Sequence, residues 1–430
     1  LKQERNNVHK KIEEKIDPEY EISNYIAQEV LKDHIRVMDI LGIRYDLLVR
    51  ESDIIELDFF EDAAEIMRKN NIMYPSRDPE KKGCHVIKYN RENIEKIVIR
   101  SNNTVTYIGK DIAYSLWKAG LFEKDFYYKK FHTYKDTGKE IYITDSEGER
   151  EGFAFGDAQT VYNVIGVRQS YLQNIISDEV VEPLSPKDSE RKAIHFSYEM
   201  VALTPRCVEE MGFEISEEEK KRPHVDVSGR KGIAVKAEDL IDKLIGRSLQ
   251  EVKLRDPDIE EERANKIAKE IAVGALRYFM IKFSSNAVIA FDFKDALAFE
   301  GDTGPYLQYT LVRINSILRK LANPEAFAGK KGFKLELLEE KEYDILYEIL
   351  LHVSLLEAQV ELAIKNSEVS VIANYTYTLC QKVNHYYHLF PIIAEENKEI
   401  KRIRLTLILL VKSDLEKLLA IMGIPVPEKM

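Results

Sequence analysis

The chain reads as an α/β region followed by an all-α region, and three observations predict it. Through roughly the first 176 residues, short apolar runs alternate with helical periodicities, which is the pattern of a sheet with helical cover. From Glu260 onward strand signals nearly vanish and long helical stretches follow one another to the end. At 430 residues the chain is long enough for two or three domains.

Taken in order, residues 1 to about 44 are expected to be helical, because Ala27, Val30, Leu31, Ile35, Val37 and Met38 keep near-helical spacing and Gly42 ends the run. Residues 45–50 form a short strand candidate, and 58–69 a helix. Two strands are expected over 85–89 and 96–100, a third over 104–107, and a helix over 111–119 stopped by Gly120. Residues 160–167 read as a buried strand followed by a helix over 170–176. A helical pattern opens again near Ala237. Five helices are then expected, over 260–282, 305–321, 341–366, 369–390 and 398–422. Residues 286–304 form the junction, which divides the chain into 1–285 and 286–430, and 323–334 is a loop containing Gly and Pro. No internal repeat or low-complexity tract interrupts the pattern.

Composition narrows the function classes. With 44% hydrophobic and 32% charged residues, the expectation is a soluble globular protein. No charge-free apolar window is long enough to span a membrane, and the N-terminus lacks a signal-peptide pattern. Cys84, Cys207 and Cys380 are widely spaced and form no CxxC pair, which fits buried thiols in a reducing cytoplasm. A net charge of −11 argues against bulk coating of nucleic acid. Residues 301–430 carry 16 Lys+Arg against 17 Asp+Glu, so the acidity sits upstream and a local RNA surface stays open to the helical region. The chain starts at Leu1, without an initiator Met, as a processed or truncated product would.

Five segments carry chemistry. Val227-Ser228-Gly229-Arg230-Lys231-Gly232 sets two glycines and two cations in six residues, which suits a triphosphate or a departing pyrophosphate as well as a solvated turn. Tyr107 and Asp111 stand four apart at a strand-to-helix turn. There a carboxylate can take a bidentate bond from a guanidinium and a phenol can orient it, or Asp111 can cap the helix it opens. Gln169, beside Arg168, follows the strand candidate of 160–167 and either reaches a ligand at the same sheet edge or opens a helix. The segment 299–309 leads through Pro305 into a helix. Its Tyr306, Gln308 and Tyr309, with Arg313, fit base stacking and phosphate contact, or packing at a domain junction. The Tyr/Asn/His run 374–388 offers Asn384 and Tyr387 in the same two ways. His385 and His388 stand three apart, but no further ligand supports a metal, and none is expected.

Together these segments resemble a class I aminoacyl-tRNA synthetase, specifically the arginyl-tRNA synthetase family. Residues 98–114 resemble its arginine-pocket segment, and 225–232 its version of the mobile KMSKS loop. Residues 299–313 resemble the entry into its anticodon-binding bundle, and 419–430, with the closing Met, its C-terminus. Residues 45–52, with Glu51-Ser52, fit as well.

The resemblance implies the second half of a Rossmann-like class I catalytic domain followed by a helical, DALR-type anticodon-binding bundle. It implies that Tyr107, Asp111 and Gln169 hold the arginine guanidinium. Val227, Ser228, Gly229, Lys231 and Gly232 would bind ATP, with Ser228, Arg230 and Lys231 acting in catalysis. Tyr306, Gln308, Tyr309, Arg313, Asn384, Tyr387 and Met430 would face tRNA. ATP with Mg2+ is implied as substrate, with no tightly bound cofactor. The partners implied are L-arginine, ATP and tRNA(Arg), met in the cytoplasm by a monomer with no membrane contact. Two departures are visible: the phosphate loop is SGRKG rather than KMSKS, and position 168 is Arg. The class I His-x-Gly-His signature and the family's N-terminal tRNA-binding domain do not occur in this sequence. The expectation is an arginine–tRNA ligase present as a large fragment, inactive by itself. The alternatives are a non-catalytic tRNA-binding relative and a synthetase for another amino acid.

Overall fold

The computed structural model describes residues 2–13, 15–225, 235–321 and 332–430. The described chain divides into two compact units, Arg44–Glu199 and Leu1–Ile43 with Met200–Met430. The divisions fall at 43/44 and 199/200, not at the junction expected near 286, because the junction is packed into the second of these units.

In the Arg44–Glu199 unit the strands form three small sheets rather than one continuous one. Met73–Pro75, His85–Tyr89 and Ile94–Ile99 pair as an antiparallel meander, and Leu47–Leu48, Glu140–Asp145 and Tyr127–Thr133 form a mixed sheet. The connections explain this. Only a short turn separates Tyr89 from Ile94, with Asn93 in the left-handed region (φ 53°), so the strands must fold back on each other. A parallel pair appears where a helical crossover intervenes: Thr160–Gly166 beside Lys192–Tyr198.

The strand expected over 104–107 is absent. Val105 bridges Ile99 once, and the Thr106 hydroxyl then donates to the carbonyls of Ile97 (3.0 Å) and Val98 (3.1 Å). That anchor leaves Thr106 extended and lets the Tyr107–Lys118 helix start at once. Gly109 is needed in its first turn, since a Cβ there would lie 2.6 Å from the Phe60 ring. The helix buries Ile108, Ile112, Ala113 and Leu116. Its Trp117 packs edge-on against Phe126 (4.9 Å), which stacks on Phe59 (4.2 Å).

In the other unit, Glu19–Ile40 joins the C-terminal helices through one guanidinium. Arg277 donates from Nε and Nη2 to the Leu41 carbonyl (2.9 and 2.7 Å) and from Nη1 to the Met422 carbonyl (3.3 Å). Leu41 and Met422 close Glu19–Ile40 and Lys398–Ile421, so one cation sits at the negative ends of two helices. A Cβ on Gly423 (φ +64°) would collide with it. A two-stranded parallel sheet, Val201–Leu203 with Ile289–Phe291, gives the region around the expected junction a fixed partner.

The dense segment 299–309 is a packing device. Thr303 caps Gly304–Arg319 through Tyr306 N–H, and Pro305 sits in the first turn. Gly304 lies against the carbonyl of Gly274 on Glu261–Ile281, where any Cβ would collide. We expect Gly304→Ala to lower stability by about 3 kcal/mol through overpacking, read from the urea midpoint. A loss under about 0.5 kcal/mol, ordinary for a surface site, would rule out the close approach.

The expected helix over 341–366 is two, Glu340–Ser354 and Leu356–Asn366. Ser354 Oγ donates back to the Leu351 carbonyl (2.7 Å), and Leu355 N–H pairs with His352. Beneath these helices runs a core of Leu307, Leu311, Leu379, Leu405, Val411 and Leu415. At its edge lies a buried ion pair. Arg404 Nε and Nη2 donate to Glu342 Oε1 and Oε2 at 2.7 and 2.9 Å, and Tyr386 OH donates to Glu342 Oε1 at 2.8 Å. Cys84, Cys207 and Cys380 are buried and free, and burial pushes the thiols of Cys207 and Cys380 up to about 12.

Candidate functional site

The Arg44–Glu199 unit carries the first candidate. The Tyr107–Lys118 helix presents Tyr107, Asp111, Tyr114 and Lys118 on one stripe, since steps of four, three and four residues keep them within about 60° at 100° per residue. Tyr107 is 55% exposed at the helix start. Asp111 is half-buried, and its carboxylate takes no hydrogen bond from any described residue. Burial, then the charge of Glu51, raises its pKa, while Lys118 and Lys110 pull the other way. Lys110 is itself engaged, with Nζ 2.9 Å from Glu51 Oε1. Glu51 opens the Glu51–Glu56 helix, which Arg50 and Asp53 anchor: Thr144 Oγ1 donates to the buried Asp53 carboxylate at 2.6 Å, and Arg50 Nε at 3.1 Å.

Gln169 is exposed and lies just past the carboxyl end of Thr160–Gly166. Carboxyl ends of parallel strands are where α/β folds bind ligands. The strand is tied to the Asp111 helix by Lys118 Nζ, which donates to Asn163 Oδ1 at 2.6 Å. Gln173, one turn beyond Gln169, is buried, and its Oε1 finds no described partner. Lys118, Asn163 and Gln173 were missed in the sequence. The seven-residue step from Asp111 to Lys118 was the available signal for the first. Nothing in the sequence marked the other two.

The phosphate-loop candidates Val227, Ser228, Gly229, Arg230, Lys231 and Gly232 lie outside the described residues.

The second candidate is a cluster between Gly304–Arg319 and Ser370–Leu389. Tyr306 meets Tyr377 edge-on (5.7 Å), the Arg313 guanidinium lies 4.2 Å over the Tyr387 ring, and Asn384 Nδ2 donates to Thr310 Oγ1 (2.8 Å). Tyr309 is 37% exposed, and His385 and His388 are exposed. Arg313 over Tyr387 is a preformed cation–aromatic pair.

Two expected RNA contacts fall elsewhere. Gln308 is fully buried: its Nε2 donates to the carbonyls of Glu270 (2.9 Å) and Pro425 (2.7 Å), so it ties the C-terminal tail to a helix and cannot touch RNA. Met430 is partly buried against Val252, Ala264, Ile267 and Ile271. It lines a cavity of about 90 Å³ with Phe299 and Arg255, apart from the Tyr387 cluster.

Among the described residues no group of three or more His, Cys, Asp or Glu side chains is placed to hold a metal ion. No described helix is long and apolar enough to cross a membrane.

Known proteins resemble this arrangement. Residues 307–430 match the DALR anticodon binding domain. The chain is 33% identical over 412 residues to the arginine–tRNA ligase of Pyrococcus abyssi, covering 94% of this chain and 61% of that one. It is 30% identical over 453 residues to an arginine–tRNA ligase of Thermus thermophilus, covering 96% and 68% respectively. The solved Thermus thermophilus arginyl-tRNA synthetase superposes with a TM-score of 0.74 at 27% identity, over 99% of this chain and 68% of that one. The chain thus spans about two thirds of the length of the curated relatives it matches.

Proposed function

The chain belongs to the arginyl-tRNA synthetase family, and from that premise we propose that it carries the arginine site and the tRNA-reading bundle of an arginine–tRNA ligase. The observation that carries the arginine reading is the Asp111 carboxylate, drawn out of water yet bonded to no described donor. A group in that state calls for a cation from outside the protein. A planar guanidinium fits best because it can engage both oxygens at once. Tyr107, one turn earlier, supplies an exposed ring and hydroxyl to orient it, and Gln169 an amide.

The reaction has two steps. The arginine carboxylate attacks the α-phosphate of MgATP and expels pyrophosphate; the adenylate then passes its arginyl group to the terminal ribose of tRNA(Arg). Both need positioning and charge stabilisation more than side-chain proton transfer. Val227, Ser228, Gly229 and Gly232 would let backbone approach the phosphates, Arg230 would help neutralise them, and Lys231 would stabilise charge on the departing pyrophosphate. In the bundle, Arg313, Tyr387, Tyr306, Tyr309 and Asn384 form the surface that reads the anticodon arm by stacking and phosphate contact. The setting is the cytoplasm, and the working form a monomer.

The test is charging of tRNA(Arg) with labelled arginine by the complete gene product. Lys231→Ala should slow adenylate formation by about a hundredfold or more while changing arginine affinity little, since it removes a contact made in the transition state. Equal losses in both would refute the role of Lys231. Tight tRNA binding with no charging by the parent enzyme would favour a non-catalytic tRNA-binding relative.

A further inference from the structure

We propose that Lys118 is a positioning residue of the arginine site, an internal counter-charge that keeps the Asp111 carboxylate ionised and ready for the guanidinium. The inference rests on Asp111 being the arginine ligand.

Lys118 lies seven residues after Asp111 on the same helix stripe, about 10 Å along the axis. Helical side chains lean toward the N-terminus, so a lysine stem shortens that gap by about a turn. That lean is observed, with the ammonium 4.6 Å over the ring of Tyr114, between Lys118 and Asp111. Asn163 Oδ1 fixes it from the neighbouring strand at 2.6 Å.

Both of these partners are uncharged, although the lysine is substantially buried and burial draws it down to about 8. The one carboxylate that offsets this burial is Asp111. Asp111, in turn, has no described hydrogen-bond donor. Three charged groups act on it: Glu51 from the adjoining helix, and Lys110 and Lys118 from its own. Lys110 is bonded to Glu51, and those two charges largely cancel. The Phe59–Lys69 helix, the Ile94–Ile99 strand and the Ile175–Val181 segment meet the helix on its apolar side. Lys118 is therefore the uncompensated positive charge available to Asp111. A water-depleted carboxylate without such a neighbour takes up a proton at higher pH and loses its hold on a cationic substrate.

The experiment is calorimetric titration of this chain with L-arginine at pH 8 and pH 6. The proteins compared are the parent, Lys118→Met, Lys118→Arg, Asn163→Ala and Asp111→Asn. At pH 8, Lys118→Met should bind within about threefold of the parent. At pH 6 its deficit relative to the parent should be larger than at pH 8, up to about tenfold for each unit by which the Asp111 pKa rises. Lys118→Arg should restore the parent profile. Asn163→Ala should shift it in the same direction by less, and decides the matter alone if Lys118→Met does not fold. A ratio to the parent that is equal at both pH values would reduce Lys118 to a packing role and overturn the proposal. If Asp111→Asn binds arginine as the parent does, the arginine-site reading falls as well. If Asp111→Asn loses binding while the Lys118 and Asn163 variants keep the parent's ratio, only this inference falls.

Discussion

Replacing Asp111 with Ala is expected to raise the arginine dissociation constant at least a hundredfold, about 3 kcal/mol. The size follows from what the carboxylate is. It is half-buried and meets no described donor, so the free protein already bears most of the cost of drying it. A guanidinium that arrives recovers a bidentate, charge-assisted pair in a low-dielectric setting, where removing one partner costs about 2–5 kcal/mol. L-Citrulline, which has the same shape without the charge, separates this from a loss of packing: its binding should change less than about fivefold. Acidification should imitate the mutation. Because burial raises the Asp111 pKa, the parent holds arginine fully above that value and loses affinity as pH falls through it. The Ala variant should show no such step. Unchanged arginine saturation in Asp111→Ala, measured by calorimetry, would place the guanidinium elsewhere.

That Tyr107 and Asp111 stand close together was legible in the sequence, which set them four apart across a strand-to-helix turn, because such spacing is a local property that survives an error in where the helix starts. The strand expected over 104–107 is in fact a loop anchored by the Thr106 hydroxyl that turns into the helix at Tyr107, and the phenol and the carboxylate share a stripe. Long helices were legible for the same reason, since periodicity accumulates over many turns. What escaped was non-local. Nothing near residue 43 says that its helix will be closed by Arg277, and nothing near residue 118 says that Asn163 will hold its ammonium. Gln308 shows the cost of reading residue type alone. A glutamine between two tyrosines suits an RNA contact or a junction, and only the carbonyls of Glu270 and Pro425 decide for the junction. The resemblance of residues 299–313 to the family's bundle entry is thus explained in part by helix packing at Gly304 and Gln308, while Arg313 lies over the Tyr387 ring.

The bundle that would read tRNA depends on a pair the sequence did not flag. Arg404→Met should destabilise it by about 3–5 kcal/mol, because it leaves the Glu342 carboxylate buried with only the Tyr386 hydroxyl for company. A further result distinguishes an orphaned charge from a simple packing defect. The double variant Arg404→Met/Glu342→Leu should recover about 2 kcal/mol or more of the loss, since replacing both ions of a buried pair by apolar groups is often neutral. Glu342 also fixes Tyr386, the neighbour of Tyr387 on Ser370–Leu389, so tRNA affinity should fall together with stability in the single variant and return with it in the double. A urea-midpoint loss below about 1 kcal/mol for Arg404→Met, the usual ceiling for an exposed pair, would mean that water reaches Glu342 and that the bundle edge is open where the structure closes it.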